Sequence, residues 1–517
     1  MMTRRLAVLV SLAAAFSALH PATAQKKQLP KPRVRTGITV PREGLRKTLP
    51  GGLNWTRRTG PLTFADRIDL SGRSIGTASP QLAASGTNVY ATYPMNGEIY
   101  LSRSIDSGET FEPPARMSTT AARSWAHQVA ASGDNVYVAW VDEFTVRGDI
   151  FFRRSDDGGE SFDDTVNLSD SPGRSSRAVS LAASGDNVYV AWCEDLAVET
   201  DPAPVAKVVI RASNDGGATF GDLVNLNAPL ATQVVDNVTV VSAQFGSGKP
   251  TVVADGDAVH VVWEQAMPTY ELRDGAIERV DFRLGVAYRR SANGGLGFAD
   301  PMMLSVSAST WGRPQVAVSG QNVYVTWMDT LGVRRGNEDI LFRASTNGGA
   351  RFADAINLSN TPARSWRGDI EASGNGVHVA WIDEVGGDKD ILLRTSGDQG
   401  ARFSPAVNLS DNGRDSTNPS VSAAGRYIYV AWQQRTSGHY TIRLRWSNDT
   451  GGAFGEGVEI SNFGTRGSSH APTVIGIGNH VYAAWQDHGL GAMYRKGARS
   501  ETRAIPGLIL RDGIKDR

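Results

Sequence analysis

The stretch Ser104-Ile105-Asp106-Ser107-Gly108-Glu109-Thr110-Phe111 decides the fold, because the chain repeats its pattern six more times. The spacing Ser-x-Asp-x-Gly-x-Thr/Ser-Phe returns at 155–162 and 213–220. Looser copies follow at 291–298, 345–352, 396–403 and 447–454, with Asn293 and Asn347 in the Asp place. Asp and Asn bond their own backbone two residues on and Gly supplies positive φ, so each copy reads as a hairpin turn. An apolar strand such as Asp149-Ile150-Phe151-Phe152-Arg153 precedes the turn, and a short strand ending in Asn-Leu-Ser or a variant follows it. A unit returning about every fifty residues means a closed array of small sheets.

A second repeat precedes each hairpin. Ala131-Ser132-Gly133-Asp134-Asn135-Val136-Tyr137-Val138-Ala139-Trp140 has counterparts ending at Trp192, Trp263, Trp327, Trp381, Trp432 and Trp485, with Tyr93 in the Trp place of the first copy. The hairpin spacing resembles the Asp box, or bacterial neuraminidase repeat, of sialidases and other β-propellers, and the resemblance covers nearly all of the chain after residue 60. On this reading Asp106, Asp157, Asp215, Asn293, Asn347, Asp398 and Asp449 are structural.

The Trp strand occurs eight times and the hairpin seven, and the termini reconcile the two. The segment 64–71 (Phe-Ala-Asp-Arg-Ile-Asp-Leu-Ser) nearly repeats the fourth-strand segment 352–359 (Phe-Ala-Asp-Ala-Ile-Asn-Leu-Ser), so it is expected to complete the last sheet. Such pairing of chain ends removes a free sheet edge. The expected fold is all-β: a β-propeller of eight four-stranded blades closed by an N-terminal strand, with seven blades and one degenerate copy as the competing count. Sialidases have six.

One ring absorbs the repeats as a single domain at 61–500, followed by a C-terminal tail at 501–517. Residues 1–24 read as a secretory signal: Arg4-Arg5, an apolar run from Leu6 to Leu19, and Ala22-Thr23-Ala24 before Gln25. Residues 25–60 are basic and rich in Pro and Gly, and read as a flexible linker. The expectation is a secreted or periplasmic protein without a transmembrane segment. The formal net charge of zero implies no general attraction to nucleic acid. Cys193 is the single cysteine, expected as a small buried hydrophobe. No motif calls for a metal or cofactor.

In a propeller the inner strands surround the axis, and the hairpins turn on the face opposite the channel mouth. Two polar features recur on the mouth side. An Arg lies ahead of each inner strand: Arg123, Arg174, Arg313, Arg364, Arg414 and Arg466, with Arg73 in the equivalent place. An acid follows the Trp strand: Asp142, Glu194, Glu264, Asp329, Asp383 and Asp487. The two sets are expected to pair, since a partly buried guanidinium without a partner is costly; they are also the ligand-binding candidates. Trp125, Trp311, Trp366, Tyr270 and Tyr440 could stack on sugar faces. His127, His439, His470 and His488 share no metal-ligand spacing.

The sialidase resemblance implies three arginines clamping a carboxylate, a Tyr/Glu nucleophile pair and an acid/base Asp. The first arginine normally lies in Arg-Ile-Pro or Arg-Leu-Pro ahead of the first hairpin. Here only Arg503-Ala504-Ile505-Pro506 comes near, at the wrong end of the chain. Symmetry is broken most at 193–207, 228–249 and 264–282, expected as loops at the mouth. The last carries Tyr270, Glu271, Glu278 and Asp281, the catalytic candidates. The leading functional expectation is binding of a glycan or glycoconjugate at the mouth. A divergent sialidase-like exo-glycoside hydrolase and a protein-interaction scaffold are the alternatives.

Overall fold

The structure is a computed structural model describing residues 62–499, apart from 73–78, 120–122, 144–147, 170–174, 196–205, 228–230, 236–237, 243–244, 247, 274–275, 308–311, 331–337, 385–386, 411–412 and 462–467. The signal, linker and tail expectations lie outside these residues, as do Arg73, Arg174 and Arg466. Eight antiparallel blades of four strands form a ring. Their inner strands are Gln81–Ser85, Arg123–Ser132, Ser176–Ser184, Thr251–Asp255, Gln315–Ser319, Ser365–Ser373, Ser416–Ala424 and Ser469–Ile477, numbered here as blades 1 to 8.

Blades are flat and must bury both faces, so the core lies between them. Eight apolar clusters fill the eight gaps, and each centres on one aromatic of the second strand: Tyr93, Trp140, Trp192, Trp263, Trp327, Trp381, Trp432 or Trp485. The repeated aromatic is therefore the wedge that sets blade spacing. Removing one such Trp would cost about 3–5 kcal/mol.

The Ser-x-Asp-x-Gly hairpins clamp each blade to the one before it. Asp215 shows the internal wiring: Ser213 Oγ donates to its Oδ1 at 2.6 Å and the Thr219 amide at 2.9 Å. The Gly then allows close approach. A Cβ on Gly217 would lie 3.0 Å from Phe152 of the preceding blade, and its φ of +78° favours Gly in any case. The hairpin Phe does not plug its own turn, as its position next to the sheet would suggest. It crosses to an aromatic of the preceding blade: Phe220 meets Phe152 at 5.0 Å, Phe352 meets Tyr288 at 4.8 Å and Phe403 meets Phe342 at 4.9 Å.

Closure repeats this contact between blades 8 and 1, where Phe111 packs on Tyr494 at 4.7 Å and Lys496 bonds Glu109 at 2.6 Å. The N-terminal segment supplies the outer edge of blade 8, with Leu62–Phe64 and Ile68–Asp69 both pairing with Gly491–Arg499. Eight Trp strands and seven hairpins are reconciled as the sequence implies: in blade 8 the two chain ends replace the turn.

The segments expected as loops at 228–249 and 264–282 contain regular strands. Ala258–Arg273 and Ala276–Ser291 pair antiparallel along their length as one long ribbon. Ala231–Val235 and Val238–Ser242 pair likewise, and the second of them also pairs with the distal half of Ala258–Arg273. In the sequence the dipeptides Asp274-Gly275 and Asp236-Asn237 between these strands are hairpin-favouring residue types, a signal that the charge-rich composition of 271–281 obscured.

Deleting residues 62–69 should expose the edge of Gly491–Arg499 and lower the melting temperature by several degrees; an unchanged Tm in a thermal melt would reject closure by this segment. The Asp215 carboxylate is held down to about 2 by the Ser213 hydroxyl and then Thr219. Its contribution is therefore complete above the unfolded value of about 3.9 and is lost as pH falls through about 2. Asp215→Asn should lower Tm at pH 7, with the gap to wild type narrowing towards pH 2.

Candidate functional site

The ring of acids after the Trp strand is turned inward. Asp142, Glu194, Glu264, Asp329, Asp383 and Asp487 are all at most 6% exposed. The partners of Asp142, Asp329, Asp383 and Asp487 are hydroxyls and indoles where arginines were expected. Asp383 accepts from Ser365 Oγ at 2.8 Å, Thr361 Oγ1 at 3.2 Å and Trp381 Nε1 at 3.2 Å. Asp329 accepts from Trp327 Nε1 at 3.2 Å and from the Ser305 hydroxyl, Asp487 from Ser469 Oγ at 3.0 Å, and Asp142 from Ser124 Oγ at 3.4 Å. The Ser that follows Arg123 and Arg364 is thus the acid's partner. The arginines go elsewhere: Arg364 pairs with Glu338 at 3.1 Å and lies over Trp366 at 4.8 Å. Arg123 and Arg414 are exposed.

Glu264 stands apart from this ring. The inward acids lie two residues after the Trp, whereas Glu264 lies one after Trp263, and a one-residue step changes the face. Gln265 takes the inward place, accepting from Trp263 Nε1 at 2.8 Å. Glu264 instead accepts the Arg313 amide at 2.7 Å, and burial raises its pKa. A Cβ on Gly248 would lie 2.2 Å from Glu264 Oε2, so this carboxylate is packed between the approaches to two inner strands.

Those approaches carry the strongest break in symmetry. Two residues ahead of the first regular pair of each inner strand, the register aligns Ser79, Ala126, Ala178, Lys249, Arg313, Arg367, Asn418 and Ala471. Ala126, Ala178, Arg313, Arg367, Asn418 and Ala471 have positive φ, between 42° and 59°. Left-handed non-Gly residues are strained, and strain of this kind collects at functional sites. Three consecutive blades place a cation here: Lys249, Arg313 and Arg367. Most of the other positions hold Ala or Ser, which leaves room beside the cations.

The electrostatics agree with the geometry. All three cationic side chains reach solvent. Yet desolvation lowers the pKa of Lys249, and desolvation followed by the Arg313 charge lowers that of Arg367. A solvent-accessible position closely ringed by protein gives both properties. Arg367 also donates to Asn418 Oδ1, and Asn418 Nδ2 donates to Gln433 Oε1 at 2.8 Å, which fixes the guanidinium from the side. Such cations are poised for an anion, because charge-assisted bonds are strongest where water is scarce. Just before the strained residues stand Trp125, Trp366 and His470, and Tyr440 lies 5.1 Å from His470.

Of the sequence candidates, only Arg313 and Glu264 meet in this arc. Register matches Arg313 to Arg367, not to Arg364. Arg367, Lys249 and Asn418 were missed, although the dipeptides Lys249-Pro250, Arg313-Pro314, Asn418-Pro419 and Ala471-Pro472 mark the position. Tyr270 pairs in register with Arg279 and Glu271 with Glu278, so Tyr270 and Glu278 stand in adjacent rows of the blade 4 hairpin. Trp311 lies outside the described residues. His127 is buried, with Nε2 3.1 Å from the Thr92 carbonyl, and the His470 and His488 rings meet edge to face at 4.7 Å. Cys193 is buried and bonds the Gly248 carbonyl at 2.9 Å.

No family model and no curated protein sequence matches the chain. Among solved structures it is similar to the phage phi92 endosialidase, with 10% identity, a TM-score of 0.39, and 88% of this chain and 71% of that one covered. A leech intramolecular trans-sialidase gives 11% identity and a TM-score of 0.34, covering 84% and 93%. The Hadza microbial sialidase Hz136 gives 12%, 0.34, and 73% and 74%. Likeness at this level says nothing about which residues act.

Asp383→Ala should orphan three donors and destabilise the fold by at least about 2 kcal/mol, with Asp383→Asn milder because one acceptor remains. A thermal melt checks this; an unchanged Tm would return Asp383 to the ligand-binding candidates.

Proposed function

We propose that this is an exported Asp-box propeller that binds an acidic glycan or glycoconjugate at its channel mouth. The observation that carries this reading is the arc of Lys249, Arg313 and Arg367 at one register position in consecutive blades. Two of the three stand on strained backbone, and Glu264 holds Arg313 from below. Trp125 is exposed at the same level and offers an aromatic face, while Trp366 is covered by Arg364; an aromatic beside cations suits sugar rings bearing carboxylate or sulfate groups. Binding fits better than hydrolysis, because the carboxylates ringing the second strands are committed to internal hydroxyls, indoles and amides.

Titration of the purified mature chain with carboxylated, sulfated and neutral oligosaccharides tests the reading. Acidic members should bind more tightly, and added salt should weaken them. Arg313→Ala and Arg367→Ala should each reduce affinity about tenfold or more, since a bond to a charged group contributes about 1.5–3 kcal/mol. Equal affinity for neutral sugars, or indifference to both substitutions, would overturn it. Turnover of any member would move the assignment to a glycoside hydrolase.

A further inference from the structure

Below Arg367, the inner strand of blade 6 departs from every other. Taking the first regular position of each inner strand as the start of a five-residue row, the first places are Gln81, Gln128, Ser180, Thr251, Gln315, Asp369, Ser420 and Thr473. The third places are Ala83, Ala130, Ala182, Val253, Ala317, Glu371, Ser422 and Ile475. Only blade 6 puts acids there. Alternate strand residues share a face, so Asp369 and Glu371 lie on one side of the strand, about 7 Å apart; Arg367, in the bulge ahead of them, reaches the same neighbouring blade, where it donates to Asn418 Oδ1.

That side faces blade 7 beside the axis. Asp369 Oδ2 accepts the Val421 amide at 2.8 Å, while its Oδ1 takes the Ile370 amide at 3.1 Å. Ser420 and Ser422 occupy the corresponding places in blade 7, and they bond the amides of Val474 and Gly476 in blade 8. Glu371 stands opposite His378 in register, and His378 is buried. Described inner-strand neighbours on blades 5 and 7, Gln315–Ser319 and Ser416–Ala424, carry no charge. Of the other charged groups, Arg367 precedes the pair on its own strand with Arg313 near it, His378 stands opposite Glu371, Lys249 and Asp255 belong to the approach and inner strand of blade 4, and His127 to the inner strand of blade 2. Asp383 lies at the far end of the adjoining strand.

We propose that anion binding at Arg313 and Arg367 is coupled to proton uptake by Asp369 and Glu371, so that the mouth holds its ligand more tightly as pH falls. This rests on the mouth being the binding site. Ionised carboxylates below Arg367 compete with the ligand for its charge and repel the ligand directly. Protonation removes both effects, and by reciprocity the bound anion favours the protonated pair. Burial, reinforced at Glu371 by Asp369, raises the two carboxyls to about 6 and about 8, so the exchange falls in the neutral range. The pair titrates as a unit.

Sulfate is the probe, because it does not itself titrate between pH 5 and 9. Calorimetry of the full mature chain at constant ionic strength, in buffers of different ionisation enthalpy, counts protons taken up per anion bound. The expected result is net uptake near pH 7 and affinity rising on the order of tenfold from pH 9 to pH 6. Glu371→Gln should flatten that profile while retaining the wild-type affinity at pH 6. Proton counting on the wild type stands even if the variant does not fold. Sulfate binding that depends on Arg313 but takes up no proton, or a profile unchanged in Glu371→Gln, would overturn the coupling and leave the mouth reading intact. Failure of sulfate to bind at any pH would overturn both.

Discussion

Every blade of this ring ends at the axis in a strand with one unpaired edge, and the fold depends on satisfying it. The amides along that edge cannot be served within the blade, and an orphaned backbone donor away from water is costly. The preceding blade supplies the acceptors. Ser132, Ser184, Asp255 and Ser373 bond the amides of Gly185, Gly256, Gly320 and Gly425, and Ser180, Asp369 and Ser420 bond those of Val252, Val421 and Val474. Alternation then fixes the rest. The residues between these acceptors, such as Leu82, Leu181, Ile370 and Val474, turn into the apolar wedge shared with the preceding blade.

The same constraint explains where the chain can vary. A small side chain with an oxygen meets the need for an acceptor, which is why Ser recurs at these places. Above the regular rows the strand leaves the sheet, in six of the eight blades through a residue with positive φ. That place can hold a polar side chain as readily as an alanine, and Lys249, Arg313, Arg367 and Asn418 occupy it in four successive blades.

The ring, its blade count and its closure were legible in the sequence because repetition amplifies weak local signals. One Asp-Gly turn is ambiguous, but seven hairpins at one spacing are not. The site was less legible for the same reason. Arg123 and Arg364 stand out by recurrence, yet recurrence marks the mouth scaffold, where Ser365 and Asp383 bond each other. Glu264 was grouped with the inward acids because it follows a Trp, although a single residue of offset puts it on the opposite face and in contact with Arg313. Register decides these assignments, and register is set by bulges that no residue type announces.

Asp369 shows how one position can serve both fold and site. As an acceptor for Val421 it does what Ser180 and Ser420 do, so a serine would satisfy the seam between blades 6 and 7. A carboxylate adds a charge that burial disfavours, and Glu371 adds a second beside it. Neither is required by the edge it faces, since alanine fills the third place in several blades. Two acids that the scaffold does not need, on the strand that also carries Arg367, are best understood through the cation above them: they set how strongly that guanidinium is available to an anion at a given pH.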